Sequence, residues 1–420
     1  MSSDNPQNQI AVVEKAAIAQ ELSSLLKSRK AIVPFPEKRV PYGWSSGNQQ
    51  IAFFDLNNYQ AIEEYCPLDQ VITVQCGIKL HALEQFLIQN NQWLPVAYPD
   101  GETSLLDVIL TSNAGPAEIF VGGLRRHILG LTFVLSNGVF AKSGGKVVKN
   151  VSGYDLTRFL IGSYGHFAVP IQANLRLYAL PELTCTMVAM GNNIVHLLAT
   201  AKSILSGNIS LVYMDLFDKR LLPEQSSELI SELIMDKTTM VAGHGYCLCA
   251  QIYGDQVTVE SETAAVKKLL TEANLDHIMV TEISKQKNLL TELTQIDTCH
   301  SPKIKHGQIV ELAAGVGDFI RLCQNKDLTT FPFLYRPRSG RLLYCLNSAP
   351  DQNLLLALLA DYAKKDSKPL TVAYSDDVHM RKIITLGIDT TGGAESMKTI
   401  KRRLKEQFDP HNLFNPFVDL

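Results

Sequence analysis

A glycine-rich segment between Gly144 and Leu177 constrains this chain more than any other feature. It contains five glycines and two closely spaced lysines, Lys146 and Lys149, around a short helix-like run, and its apolar residues then alternate as in a strand. Glycine lets a backbone approach a ligand closely or adopt a positive φ. Main-chain amides beside cationic side chains suit the phosphates of a cofactor. The pattern therefore predicts a phosphate-bearing cofactor here rather than simple packing.

Length and composition set the class of protein. With 420 residues, the chain exceeds one ordinary core and should divide into two or three domains. A hydrophobic fraction of 46% with 19% charged residues is typical of a soluble globular protein. A net charge of −3 with interspersed signs argues against nucleic-acid binding. Because no apolar run is long enough to span a bilayer and the N-terminus lacks a secretory signal, we expect a cytoplasmic protein.

The cysteines predict no metal or iron–sulfur site in this chain. Eight are scattered with neither a CxxC motif nor a cluster of four, which indicates buried thiols in a reducing compartment. If electrons leave this protein through an iron–sulfur cluster, another chain must carry it. The eight are Cys66, Cys76, Cys185, Cys247, Cys249, Cys299, Cys323 and Cys345.

Strands and helices alternate in the first half, which favours α+β or α/β layering. Residues 9–30 predict an amphipathic helix, and residues 51–56 a strand. The segment 58–66 (NYQAIEEYC) is predicted to be a helix, and the alternating run QVITVQCG after it a strand. The run from Lys79 to Pro95 then predicts a clear amphipathic helix.

Beyond Pro181, five strand patterns alternate with helical patterns. Two strand–helix–strand passes of this kind predict a ferredoxin-like α+β cap domain. The chain ends in a basic helix followed by the segment FDPHNLFNP.

Three blocks now carry a resemblance to a known family: GGLRRHILGLTFVLSNG, KNVSGYDLTRFLIGS and FDPHNLFNP. In this order they resemble the vanillyl-alcohol-oxidase-type FAD-linked oxidases, and among these the smaller flavin-domain subunit of bacterial glycolate oxidases. The resemblance covers roughly residues 30–182 and the C-terminus. It implies an α+β protein with a PCMH-type FAD-binding domain of two α/β subdomains. The implied division is an N-terminal helix at 1–30, the FAD-binding domain at 31–182, the cap at 183–400 and a C-terminal helix and tail at 401–420.

The same resemblance implies which residues hold FAD. Lys149 and Asn150 would donate to flavin or substrate, Gly153 would permit close approach, and Tyr154 would form a wall of the site. The full set of implied cofactor-binding residues is Asn113, Gly115, Lys149, Asn150, Gly153, Tyr154, Gly162, Ser163 and Gly165.

Several positions depart from the family pattern. The first glycine loop is PFPEK at 34–38, and the second has Leu106 and Asp107 in place of two glycines. Asp107 would bring negative charge towards a pyrophosphate, and Pro170 removes an amide donor.

Each candidate also has a plain structural interpretation. The alternative for Gly153, Gly162 and Gly165 is that they form only turns and caps, for Lys146 and Lys149 a solvated basic face, and for Tyr154 core packing. Arg126 and His127 are interpreted as a surface or subunit contact rather than as catalytic groups.

No catalytic base can be named. Oxidation of a 2-hydroxy acid needs a base and a cation for the carboxylate, but the histidines of the second half are isolated. Arg336 and Arg338 are candidates for a carboxylate clamp or for a protein contact. The chain therefore resembles a partner of a catalytic subunit rather than a complete oxidase.

Three functions follow as hypotheses. The first is an FAD-binding subunit of a glycolate-type complex that is not active alone. The resemblance implies that it works with a catalytic flavoprotein subunit and an iron–sulfur subunit, through which it would associate peripherally with a membrane. The second is a flavin-free scaffold or regulatory subunit that keeps the fold. The third, favoured least, is a self-sufficient flavin oxidase for a sugar acid or alcohol.

Overall fold

The computed structural model describes residues 17–25, 27–28, 30–34, 50–119, 123–146, 154–221, 245–297, 308–346, 354–359, 370–377, 380–386 and 393–414. These residues form an α+β protein with two large antiparallel sheets and two small sheets. The fold class predicted from the sequence is confirmed.

The first half contains five helices and nine strands among its described residues. In chain order they are α1 (17–25), β1 (Ala31–Val33), β2 (Ile51–Phe53), β3 (Ile62–Cys66), β4 (Val71–Gln75), α2 (Leu80–Gln89), β5 (Gln92–Trp93), α3 (Leu105–Thr111), α4 (Leu124–His127), β6 (Ile128–Val134), β7 (Phe140–Gly144), α5 (Leu156–Leu160), β8 (Val169–Arg176) and β9 (Tyr178–Ala179).

The five-stranded sheet of this half, in the order β3-β4-β8-β6-β7, has one apolar and one polar face. Residues such as Ile72, Ile171 and Phe133 are buried in the core, whereas Thr73, Gln172 and Thr132 beside them lie on the opposite, polar face. On that face the Thr73 hydroxyl donates to the Asn174 side-chain oxygen at 2.9 Å, and the Thr132 hydroxyl donates to the Gln172 side-chain oxygen at 2.7 Å. The strict alternation of side chains along a strand produces this division.

The predicted helix at 58–66 is wrong, because β3 lies within it. Residues Ile62–Cys66 pair antiparallel with β4. The Tyr65 ring packs edge-on against Phe86 of α2 at 5.2 Å, and its hydroxyl donates to Gln92. Glu, Ala and Gln favour a helix locally, but pairing with a fully buried strand overrides that preference.

The second half contains a nine-stranded sheet with helices on both faces. Its elements are β10 (Leu183–Gly191), α6 (Ile194–Ser206), β11 (Leu211–Asp218), β12 (Tyr246–Gly254), α7 (Gln256–Glu272), β13 (Asp276–Val280), α8 (Ile283–Asp297), β14 (Gln308–Ala313), α9 (Val316–Gln324), β15 (Phe333–Arg336), β16 (Arg341–Leu346), α10 (354–359), β17 (Leu370–Asp377), β18 (Met380–Leu386) and α11 (Gly393–Phe408).

The order of the nine strands shows two ferredoxin-like modules rather than one. When the four strands of each module are numbered along the chain, β13-β10-β12-β11 lie in the spatial order 4-1-3-2. The strands β17-β14-β16-β15 lie in the same order. The two modules join where β11 pairs antiparallel with β15, with Leu216 opposite Tyr335. The predicted ferredoxin-like cap is therefore present twice, and its two copies are joined edge to edge into one continuous sheet, with β18 added at one end.

The two faces of this sheet are buried against different partners. Helices α6, α7, α9 and α10 cover one face around residues such as Met214 and Phe319. On the other face, Val188 and Phe217 pack with Leu293 of α8 and with Ala117 from the first half. The second face is therefore where the two halves meet.

The C-terminal segment returns to the first half and completes its core. Leu413 and Phe414 belong to the buried cluster that contains Ile32, and the Leu413 carbonyl accepts a hydrogen bond from the Ile32 amide at 2.6 Å. The domain bounds given above remain predictions. The packing does show that the two ends of the chain share one core.

A buried lysine holds this return in place. The Lys405 ammonium donates to the Asp409 carboxylate at 2.7 Å, to the His166 carbonyl at 2.6 Å and to the Phe414 carbonyl. Asp409 in turn accepts from the backbone amides of Leu413 and Phe414. Lys405 and Asp409 are both buried, so water does not compete for the hydrogen bonds of the ammonium.

We predict that Lys405→Met destabilises the protein by about 3 kcal/mol, because it leaves a buried carboxylate and two carbonyls without their cation. Urea unfolding measures the change. Lys401→Met, at an exposed position of the same helix, is the control and should change the unfolding free energy little. Equal midpoints for the two variants would contradict this account of the C-terminal return.

Candidate functional site

Pro34, Ser112 and the glycine turn at 162–165 lie close together at the end of α3. The turn Gly162–Gly165 has positive φ at both glycines, 80° and 75°. A Cβ added at Gly162 would lie 3.0 Å from the Ser112 Cβ, and one added at Gly165 would lie 3.3 Å from Pro34 Cγ. Pro34 begins the first loop and Ser112 follows the helix that the second loop starts. The structure therefore brings together segments that are distant in sequence.

The amides of the glycine turn dock it onto α3. The Gly162 amide donates to the Ile109 carbonyl and the Tyr164 amide to the Leu110 carbonyl, both at 2.9 Å. Ser163 is different, because its buried hydroxyl makes no hydrogen bond to the described residues. A buried hydroxyl in this situation is a polar group still able to bind a ligand. The turn thus has a structural role and offers one spare polar group.

Asn113 and Gly115 lie at the junction between the two halves. The Asn113 side chain accepts a hydrogen bond from the Gly115 amide at 2.9 Å. Gly115 has φ 65°, and an added Cβ would lie 2.8 Å from Ala97 and 3.2 Å from the Thr294 side chain of α8. Glycine is therefore required there for packing as well as for backbone conformation.

The predicted site residues Lys149, Asn150 and Gly153 lie outside the described residues. Tyr154, which follows them, is 94% exposed. The chain entering this segment is anchored on the polar face of the first sheet, since Asn174 donates to the Gly145 carbonyl and Lys146 pairs with Glu64. The Lys146 ammonium lowers the pKa of the Glu64 carboxyl.

The second loop does not offer its amides to a phosphate. The Ser104 amide donates to the Asp107 carboxylate at 2.7 Å, and the Asp107 amide donates to the Ser104 hydroxyl at 3.2 Å, which forms a capping box. The Leu105 and Leu106 amides donate to the Ile78 and Cys76 carbonyls. All four donors are used, and a carboxylate lies where an anion would bind. The glycine turn thus offers the Ser163 hydroxyl to a cofactor, whereas this loop offers no amide to a pyrophosphate.

The interpretation of Arg126 and His127 as a surface or subunit contact is wrong for His127, which is buried. Its ring is fully buried and meets the Tyr178 ring edge-on at 5.4 Å, whereas Arg126 is exposed. Neither ring nitrogen bonds to a described residue. Burial, with Arg176 and Arg126 nearby, lowers the pKa of His127 to about 4. The imidazole is therefore neutral at physiological pH.

Arg336, a candidate carboxylate clamp, is buried against Asp215. The two side chains are almost fully inaccessible, and the Arg336 Nε lies 3.3 Å from the Asp215 carboxylate. Both occupy the strands that join the two modules, on the face towards the first half. Sequence reasoning missed Asp215, although an aspartate inside the apolar run LVYMDLF was a signal for a buried cation. Arg338 is exposed.

The described residues contain neither a helix that could span a membrane nor a cluster of metal ligands. No helix there has the length and apolar character needed to cross a membrane. In the same part of the chain, no group of three or more His, Cys, Asp or Glu side chains is arranged to hold a metal ion.

We predict that His127 makes the protein sensitive to acid. Since its pKa is lower in the folded state than in the unfolded state, the unfolded chain takes up a proton first as pH falls below about 6.5. The free energy of unfolding should therefore fall by about 2 kcal/mol between pH 7 and pH 5 on account of this group. His127→Phe should remove that part of the loss, as measured by urea unfolding at both pH values.

His196→Phe, which replaces an exposed histidine of α6, is the matched control and should leave the pH dependence unchanged. An unaltered pH dependence in His127→Phe would show that the imidazole is charged in the folded state.

Comparisons with known proteins agree with this geometry. A family model for an FAD binding domain matches residues 10–144. The chain is 30% identical over 135 residues to glycolate oxidase subunit GlcE of Escherichia coli, a match that covers 32% of this chain and 39% of that protein. It is 27% identical over 206 residues to a probable mitochondrial D-lactate dehydrogenase of Danio rerio, covering 47% and 41%. The matched region thus spans about two fifths of these two relatives.

A longer match and a solved structure extend the comparison. Glycolate oxidase subunit GlcD of Bacillus subtilis is 24% identical over 399 residues, covering 89% of this chain and 79% of that protein. The solved structure of an alkyldihydroxyacetonephosphate synthase aligns with a TM-score of 0.69 at 13% identity, over 95% of this chain and 75% of the other, which establishes a shared fold. The chain is thus similar to FAD-linked oxidoreductases and contains an FAD binding domain, which supports FAD as its cofactor.

Proposed function

We propose that this chain is the FAD-binding subunit of a glycolate-type 2-hydroxy-acid oxidase or dehydrogenase complex. The observation that carries the proposal is the convergence of Pro34, the end of α3 and the Gly162–Gly165 turn. Pro34 and α3 lie within residues 10–144, which match the FAD family model, and the turn packs against them. The likeness to two subunits of glycolate oxidases supports the choice of substrate class. Electrons would pass from the hydroxy acid through the flavin to a partner subunit.

The residues of this chain would bind and orient the cofactor. The Ser163 hydroxyl would donate to it from the glycine turn, while Lys149, Asn150 and Gly153 would approach it from the preceding segment, with Tyr154 beside them. FAD, when bound, supplies the acceptor for the two electrons removed from a CH–OH group. Contact between Gly115 and Thr294 would fix the cap over this region.

The chain would depend on partners for catalysis. In the described ranges, Arg336 is paired with Asp215, so this arginine is not a ready clamp for a substrate carboxylate. His127 is buried and neutral, with no acidic group to orient it as a base among the causes of its pKa shift. We therefore propose a catalytic flavoprotein subunit and an iron–sulfur subunit as partners, in the cytoplasm, with peripheral membrane association through them.

We predict that the chain, co-expressed with its partners, retains FAD, and that glycolate or lactate bleaches the visible flavin absorbance under anaerobic conditions. Ser163→Ala should weaken FAD retention several-fold because one donor is lost, about 1 kcal/mol. Ser112→Ala, beside the same turn, is the control. Because the proposed partner is also a flavoprotein, the isolated chain decides the outcome: absence of flavin absorbance from this chain after incubation with FAD would contradict the proposal.

A second candidate function is a flavin-free scaffold or regulatory subunit of the same complex. The capping box between Ser104 and Asp107 favours it, because each amide contact withheld from a phosphate should cost about 1.5–3 kcal/mol of binding free energy. Two such losses would lower FAD affinity by two orders of magnitude or more, on the order of 3–6 kcal/mol.

Replacing Leu106 and Asp107 by glycine tests the second candidate. The double variant should bind FAD at least about tenfold more tightly than the wild type, since a carboxylate is removed and the Ser104 amide that it occupies becomes available. Flavin fluorescence titration measures the affinity. Asp318→Gly is a matched control, because Asp318 caps α9 in the same way far from this loop. Unchanged affinity in the double variant would show that this loop does not limit FAD binding.

A further inference from the structure

The two ends of the nine-stranded sheet differ. In the second module the fourth strand, β17, is covered along its outer edge by β18, which pairs with it antiparallel from Leu370 to Asp377. In the first module the fourth strand is β13, which pairs with β10 on its inner side. Within the described ranges, β13 is the last strand of the sheet. Its outer backbone groups are therefore in the position that β18 fills in the other module.

Strand β13 lacks three features that protect an edge strand from pairing: a β-bulge, proline and lysine. Its register with β10 is continuous from Val280 to Asp276, without a bulge. Its sequence, DHIMV, has neither proline nor lysine. Two large apolar side chains are exposed nearby: Met279 of β13 is 56% accessible, and Ile283 at the start of α8 is 68% accessible. An edge of this kind is a template for another strand.

We propose that β13 pairs antiparallel with β13 of a second copy of this chain, about a two-fold axis at Ile278. This pairing makes the protein a homodimer whose cap sheets run continuously from one copy into the other. The inference is independent of the proposed function, since it rests on the cap sheet alone.

The fold already uses the same type of junction within one chain. Its two ferredoxin-like modules join edge to edge through β11 and β15, which pair antiparallel with Phe217 opposite Leu334. Joining two copies through β13 repeats this arrangement at the free end of the first module. A symmetric dimer also needs a self-complementary surface.

The sequence of β13 meets that requirement. Pairing about Ile278 places His277 opposite Met279 of the second copy, and Asp276 opposite Val280 of the second copy. Like charges opposite each other would oppose pairing, and this register places none opposite each other. Because His277 and Met279 lie on the same face of the strand, each exposed thioether would cover the other copy's imidazole, a favourable contact.

Sedimentation of the full-length chain over a wide concentration range tests the association. The wild type should be a dimer, and Met279→Lys should raise the dissociation constant by at least about tenfold, because lysine on an edge strand opposes pairing and here faces a histidine. The matched control is Val257→Lys, at an exposed valine of α7 in the same module. It should leave the dimer intact.

Disulfide formation under mild oxidation tests the register. Ile278→Cys should form a disulfide with the same cysteine of the second copy across the axis. Asp276→Cys should not, because residue 276 faces residue 280 of the second copy. Wild-type protein gives the background from its own cysteines. A monomeric wild type, a dimer unaffected by Met279→Lys, or equal cross-linking of Ile278→Cys and Asp276→Cys would each overturn the proposal.

Discussion

Helix α3 is bonded to the rest of the first half at both of its ends, and the candidate site depends on those bonds. At its start, the Leu105 and Leu106 amides donate to the carbonyls of Ile78 and Cys76. At its end, the carbonyls of Ile109 and Leu110 accept from the glycine turn. The helix is almost entirely buried, so every one of its polar backbone groups needs a protein partner.

This arrangement has two opposite consequences for cofactor binding. The end of the helix positions the glycine turn and the start of the first loop, where we propose that the flavin lies. The start of the helix is closed by its own Ser104 and Asp107, which occupies the amides that would receive a pyrophosphate. One part of the proposed site is therefore open to a cofactor, and another is filled by the protein's own side chains.

The cap reaches its stability by duplication. Each ferredoxin-like module has edge strands, and joining β11 to β15 removes one edge from each. The junction contains the buried pair of Asp215 and Arg336, two charges that are acceptable in the sheet because they face each other. One face of the combined sheet then packs on the first half through Ala117 and α8, which gives the chain two cores in contact.

The amino-acid sequence alone predicted the α+β class, five of the nine cap strands, the resemblance to FAD-linked oxidases and the order of the motifs that carry it, because hydrophobic periodicity and glycine spacing are local properties of the chain. It also showed that Leu106 and Asp107 replace glycines. Only the tertiary structure decided that segment 58–66 is a strand, that His127 and Arg336 are buried, and that the loop amides are already bonded. These outcomes depend on neighbours distant in sequence, and burial and pairing with such neighbours outweigh the local preferences that a sequence displays.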